Sequence, residues 1–154
     1  MNQKLSNWAS IAEIVSAAAV VISLIFVGLQ IRQNTQVTKS SAYQSLLVQF
    51  NDWREEVSSD DSKLQLYNDY ILSGDVPEES TPERMKLNSI LLNLWANMEN
   101  AFTAYDAGLM DGDEWERVQR SVCIEYERML AANINEYIYI RLTDEFVAFV
   151  KETC

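Results

Sequence analysis

Eighteen consecutive residues, Ile14 to Ile31, carry no charge; they read IVSAAAVVISLIFVGLQI. Extended back to Ala9, and interrupted only by Glu13, the run covers 23 residues, about 34 Å if helical. That length crosses a hydrocarbon layer of ~30 Å with modest tilt. Trp8 stands where an interfacial aromatic anchors such a helix, and Arg32 closes its far end. A core helix of a soluble bundle is the competing reading, but such helices rarely run this long without a charge. A cleaved signal peptide would place its small-residue pattern after the apolar run, whereas Ala17-Ala18-Ala19 lies inside it. The run therefore predicts an uncleaved, single-pass membrane helix.

After the run the spacing changes to the stripe of an amphipathic helix. Tyr43, Leu46, Leu47, Phe50, Trp53 and Val57 recur at helical intervals, so the first helix is expected to continue out of the membrane. Glycine and proline are sparse: beyond Gly28 only Gly74, Gly108 and Gly112 remain, with Pro77 and Pro82. Breaks are expected near 58–61, 74–82 and 108–113, with helices between them. Leu64, Tyr67 and Ile71 mark a short helix. Ser80-Thr81-Pro82-Glu83 offers a capping box and a first-turn proline. The helix that follows carries Met85, Ile90, Leu91, Leu94, Trp95, Met98, Phe102 and Tyr105, and Gly108 is its natural stop. Asp111-x-x-Glu114 opens another, with Trp115, Val118, Val122, Tyr126 and Leu130. Ile134, Ile138, Ile140 and Leu142 alternate with polar residues as a strand would, yet a lone strand has no partner. The tail is read as helix as far as Thr143, which caps a last turn bearing Phe146, Val147 and Val150. The expected architecture is all-α: residues 1–32 form a tail and transmembrane helix, and residues 33–154 a small antiparallel helical bundle of about four helices.

Within the apolar run Ala9, Ser16, Ser23 and Gln30 recur every seventh residue, with Ala12 and Ala19 near the same face. A seven-residue recurrence of small and polar side chains suits a left-handed contact between helices in lipid. With one such helix per chain, the contact has to come from another copy, which makes a homo-oligomer the economical expectation. The opposing reading is that the serines bond back to their own backbone. Glu13 closes a capping box with Ser10 in one reading. In the other it forms a carboxylate ring at the mouth of a pore. Glu13, Ser16, Ser23, Gln30 and Asn34 are thus the candidate oligomer or pore face, and Val20 and Val27 could keep such a lumen dry.

Charge sharpens the division of the chain. Residues 1–50 hold Lys4, Arg32 and Lys39 against Glu13, net +2; residues 51–154 hold the other 9 bases and 22 acids, net −13. Such an acidic surface repels nucleic-acid phosphates, so no nucleic-acid partner is expected. The Lys/Arg distribution around the span leans slightly toward a cytoplasmic C-terminal domain. Cys123 and Cys154 have no metal-ligand spacing and form no framework; read as unpaired, they suit a reducing compartment.

Candidate chemistry is sparse. The chain has no histidine, which removes the Ser-His-Asp triad, the Cys-His pair and His-ligated metals. Asp111 to Glu116 looks calcium-like but has glycine second and Val122 twelfth, so it fails the EF-hand pattern. Glu99, Asp106 and Glu125 are the one acidic set that helices could bring face to face. No Gly-rich phosphate loop, Gly-x-Ser-x-Gly or Cys-x-x-Cys occurs. No cofactor, metal or catalysis is expected. The leading expectation is a membrane-anchored, self-associating structural or interaction module. The alternative is a small homo-oligomeric cation-permeable channel lined by the polar face of the span.

The segment from Trp8 to Ile25, running into Gln30-Ile-Arg-Gln-Asn-Thr35, resembles an uncharacterised family of small bacterial proteins with an N-terminal apolar helix and a helical C-terminal part. Glu99-Asn100, Tyr105-x-x-Gly108 and Trp115 are similar to that family's middle region. The tail departs from it, with Ala132-Asn-Ile-Asn135 where a Pro-Gly-x-x-x-x-Trp-like segment is expected near 131–139. The resemblance implies an aquatic bacterial origin and no particular activity.

Overall fold

Glycine, proline and capping residues set the helix ends throughout the computed structural model, which describes the backbone of residues 2–154 and the side chains of Trp8, Ala12, Glu13 and residues 15–154. The described residues form six helices and no strand: α1 (Asn2–Ser58), α2 (Asp61–Ser73), α3 (Pro82–Asp106), α4 (Gly112–Ala131), α5 (Asn135–Tyr139) and α6 (Asp144–Thr153). They fall into two compact units, Met1–Thr38 and Lys39–Cys154.

The first unit is helical from Asn2, and this corrects the capping box expected at Ser10 and Glu13. Backbone amides several turns inside a helix already have carbonyl partners and need no cap; the side chain of Ser10 lies outside the described residues. Every side chain from Val15 to Thr38 is exposed. Among the described residues, one helix is long and apolar enough to cross a membrane; its most apolar window has a mean hydropathy of 2.0, and none of that window is buried.

In the second unit, the remainder of α1 lies along α3. Trp53 Nε1 donates to the Ile90 carbonyl at 2.9 Å, and Asn97 Nδ2 donates to the Gln49 carbonyl at 3.2 Å. Asp60 caps α2, its Oδ1 accepting from the amides of Ser62 and Lys63 at 2.9 and 3.2 Å. With the Ser62 hydroxyl, these bonds hold the Asp60 carboxyl below its ordinary range. Gly74, at φ 69°, ends α2 in the left-handed conformation that glycine adopts without strain. For α3 the cap is Thr81 rather than Ser80, with its Oγ1 accepting from the Arg84 amide at 3.1 Å and Pro82 in the first turn. α4 opens at Asp111-x-x-Glu114 as expected, through a capping box in which the Asp111 amide donates to Glu114 Oε2 at 3.2 Å.

Leu87, Leu91, Trp95, Val122, Met129, Ile138, Phe146 and Val150 make the centre of the core. α3 runs through the middle, with α2, α4 and α5 against it. The tail is helical but interrupted. Asn133, at φ 55°, stops α4 by a left-handed turn, and only the short α5 follows before Thr143 starts α6.

A further expectation is overturned. Cys123 on α4 and Cys154 beyond α6 are not unpaired; they form a disulfide with their Cα atoms 5.1 Å apart. The spacing of 31 residues conceals this pairing, which arises only because α6 packs back on α4.

Candidate functional site

Two features stand out, one in each unit. In the first, Glu13, Ser16, Ser23, Gln30 and Asn34 all lie on α1 and all are exposed. Ser23 Oγ donates to the Ala19 carbonyl at 2.8 Å, and Thr35 and Thr38 do the same to Ile31 and Asn34 at 3.0 and 2.9 Å. These hydroxyls satisfy their donors within the helix. Of the candidate face, Ser23 is the residue whose donor is met within the helix; what the face offers a neighbour is small size, the amides of Gln30 and Asn34 and the Glu13 carboxylate.

The second feature is a polar cluster inside the bundle. Glu125 is 5% exposed, and its Oε1 accepts from Arg128 Nη1 at 2.7 Å, one turn along α4. Its Oε2 and the Tyr70 hydroxyl are buried without a hydrogen-bond partner. The phenols of Tyr67 and Tyr70 stand close enough to favour the charged carboxylate without reaching bonding geometry. Tyr67 meets Trp53 edge to face, with ring centroids 5.2 Å apart. A cavity of 320 Å³ opens on this group, lined by Trp53, Arg54, Tyr67, Glu125 and Arg128 among others.

Burial raises the Glu125 carboxyl above its ordinary value, and the opposing pull of Arg128 and the two tyrosines does not cancel it. The same burial, with the Glu125 charge, pushes both phenols up and keeps them protonated. The folded state therefore holds the Glu125 proton more tightly than the unfolded chain does. Stability contributed here is highest at acid pH and falls as pH rises from the ordinary carboxylate value through the raised one. In Glu125→Gln this slope is expected to vanish from a pH series of thermal melts. The change at neutral pH should stay under about 1 kcal/mol, because Arg128 is half-exposed and water can replace its partner. A slope that survives the substitution would assign it to another group.

The acidic set proposed from sequence is not one site. Glu99 Oε1 accepts from the Thr143 amide and hydroxyl, both at 2.6 Å, and so caps α6, while Glu125 belongs to the Arg128 pair. No three Asp, Glu or Cys side chains gather as metal ligands among the described residues. Asp111 caps α4 and pairs with Lys39 at 3.1 Å. Sequence reading named Glu125 only as one of three acids between helices and missed its own cluster with Arg128 and the tyrosines. Its signal was there: an acid at the register of Val122 and Met129, where the α4 stripe calls for an apolar residue.

No family model matches this chain. Neither a curated protein nor a solved structure matches it either.

Proposed function

We propose that the chain is a membrane-anchored, self-associating interaction module of a bacterial inner membrane, with no chemistry of its own. The observation that carries this reading is the uninterrupted exposure of side chains from Val15 to Thr38, eleven of them large and apolar. An apolar surface of that extent is not left in water; lipid or other copies cover it. Small residues at seven-residue spacing let backbones approach, and the self-satisfied Ser23 hydroxyl favours a tightly packed contact over a wet, polar lumen. The cation channel therefore stands second.

The helical domain is placed on the oxidising face of that membrane. Lys4 on one flank and Arg32 and Lys39 on the other leave little charge asymmetry to set orientation. The Cys123–Cys154 pair weighs more, because such bonds persist outside the reducing cytoplasm.

Oxidative cross-linking in native membranes tests the contact. Ser23→Cys is expected to give a disulfide-linked dimer band, whereas Ile25→Cys, about 200° round the helix from it, gives none. Equal bands at both positions would mean random collision, and no band at either would remove self-association and the channel together.

A further inference from the structure

The bundle leaves a trough between two helices that both rest on α3. Its larger cavity, 440 Å³, lies between the Tyr43–Arg54 stretch of α1 and the Glu114–Ser121 stretch of α4. It shares Phe50, Arg54, Met98 and Ser121 with the 320 Å³ cavity beside Glu125, so the two make one elongated apolar trough. Such volumes and such a lining are those of a small-molecule site.

Size and charge narrow the occupant. A helix with its side chains is about 10 Å across and 5.4 Å per turn, on the order of 400 Å³ per turn. The larger cavity would hold roughly one turn, too little to anchor a helical peptide, while an extended chain fits along it. The rim is basic in a domain that is otherwise strongly acidic. Arg54 and Arg117 line the trough, and neither is among the ion pairs of the described residues. The two carboxylates there are already engaged, Glu114 by the Asp111 amide and Glu125 by Arg128.

We propose that this trough binds a single-chain anionic amphiphile, its apolar chain lying along Phe50 and Met98 and its anionic head group held by Arg54 and Arg117. Two guanidinium groups outside the ion pairs of the described residues, Arg54 donating only to the Asn51 amide oxygen at 3.3 Å, suit a carboxylate or phosphate head, and an apolar floor in a domain of this charge rejects a small hydrophilic anion.

Photo-cross-linking of the full-length protein in zwitterionic nanodiscs tests this. The probes are palmitate with a mid-chain diazirine and the matched alcohol and trimethylammonium compounds, with labelled residues located by mass spectrometry. The carboxylate is expected to label the peptides of Phe50, Met98 or Val118 about tenfold more than the alcohol. The paired change Arg54→Glu and Arg117→Glu should abolish that excess, whereas Arg54→Lys and Arg117→Lys should retain most of it. Label on residues 15–37 should be equal in all variants, and an unchanged helical circular dichroism signal excludes unfolding. Labelling indifferent to head group, labelling confined to the span, or a trough closed to every probe by a second copy or a peptide would overturn the proposal. A photoreactive phosphatidylglycerol in the disc is the two-chain control: label from the free carboxylate alone supports the single-chain occupant, and label from the two-chain lipid alone at these residues would overturn it.

Discussion

Phe146→Ala is expected to cost the helical domain about 3–5 kcal/mol, the range for emptying a large aromatic site in a packed core. Phe146 is fully buried, with ring centroids 6.2 Å from Trp95, 5.4 Å from Phe102 and 6.5 Å from Phe149. With Phe149, whose ring lies 4.9 Å from Phe102, it is one of the two rings through which α6 meets α3. A helix of ten residues has no stability of its own, so its order comes from that grip, from the Glu99–Thr143 cap and from the disulfide. Against a typical total of 5–15 kcal/mol the loss is severe. Thermal or denaturant unfolding of the full chain measures it; a loss below about 1 kcal/mol would mean that α6 is not docked as described.

Removing the disulfide is the second large effect. Closing a loop of this length restricts the unfolded chain by about 3–4 kcal/mol in the chain-entropy description. Cys123→Ala with Cys154→Ala should lower the melting temperature by roughly 10–15 °C. Combined with Phe146→Ala the losses should fall short of additive, since once α6 has come away neither tie has anything left to hold. In protein taken from cells and denatured without reductant, a maleimide–polyethylene glycol reagent should shift no band until a reducing agent is added. A full shift without reductant would overturn both the bond and the orientation drawn from it.

Much of the architecture was legible because this chain uses few punctuation marks and uses them consistently. Gly74, Gly108, Pro82 and the Asp111–Glu114 box each end or start a helix where expected. Periodicity was less reliable for the buried face. Leu47, Met85, Tyr105 and Leu130 fit the stripes yet are exposed, while Tyr70, Leu87 and Met129 hold the core. A stripe defines a face only to within a residue either side, and the packing partner decides which of its neighbours is covered. The alternation from Ile134 to Leu142 read locally as strand. Instead the left-handed Asn133 ends α4, Ile134 is buried at the N-cap of the short α5, and α5 buries Ile138 and leaves Ile140 76% exposed.

The site was harder to read, for a related reason. The candidate face on the span was visible as a seven-residue repeat, because a single helix carries the whole pattern. The Glu125 cluster and the trough beside it draw on α1, α2, α3 and α4, and no local spacing brings Arg54, Tyr67, Met98 and Glu125 together. The disulfide belongs to the same class, since its two residues meet only through the return of α6 onto α4.

The central claim is that the apolar stretch of α1 lies in a bilayer. Carbonate extraction of membranes from cells producing the full-length chain tests it most directly, because high pH strips peripheral proteins and leaves lipid-spanning helices in place. The apolar helix from Val15 onward, whose most apolar window has a mean hydropathy of 2.0 and is not buried, predicts that nearly all of the chain stays in the membrane pellet and leaves it only with detergent. Release of most of the chain into the carbonate supernatant would contradict the anchor.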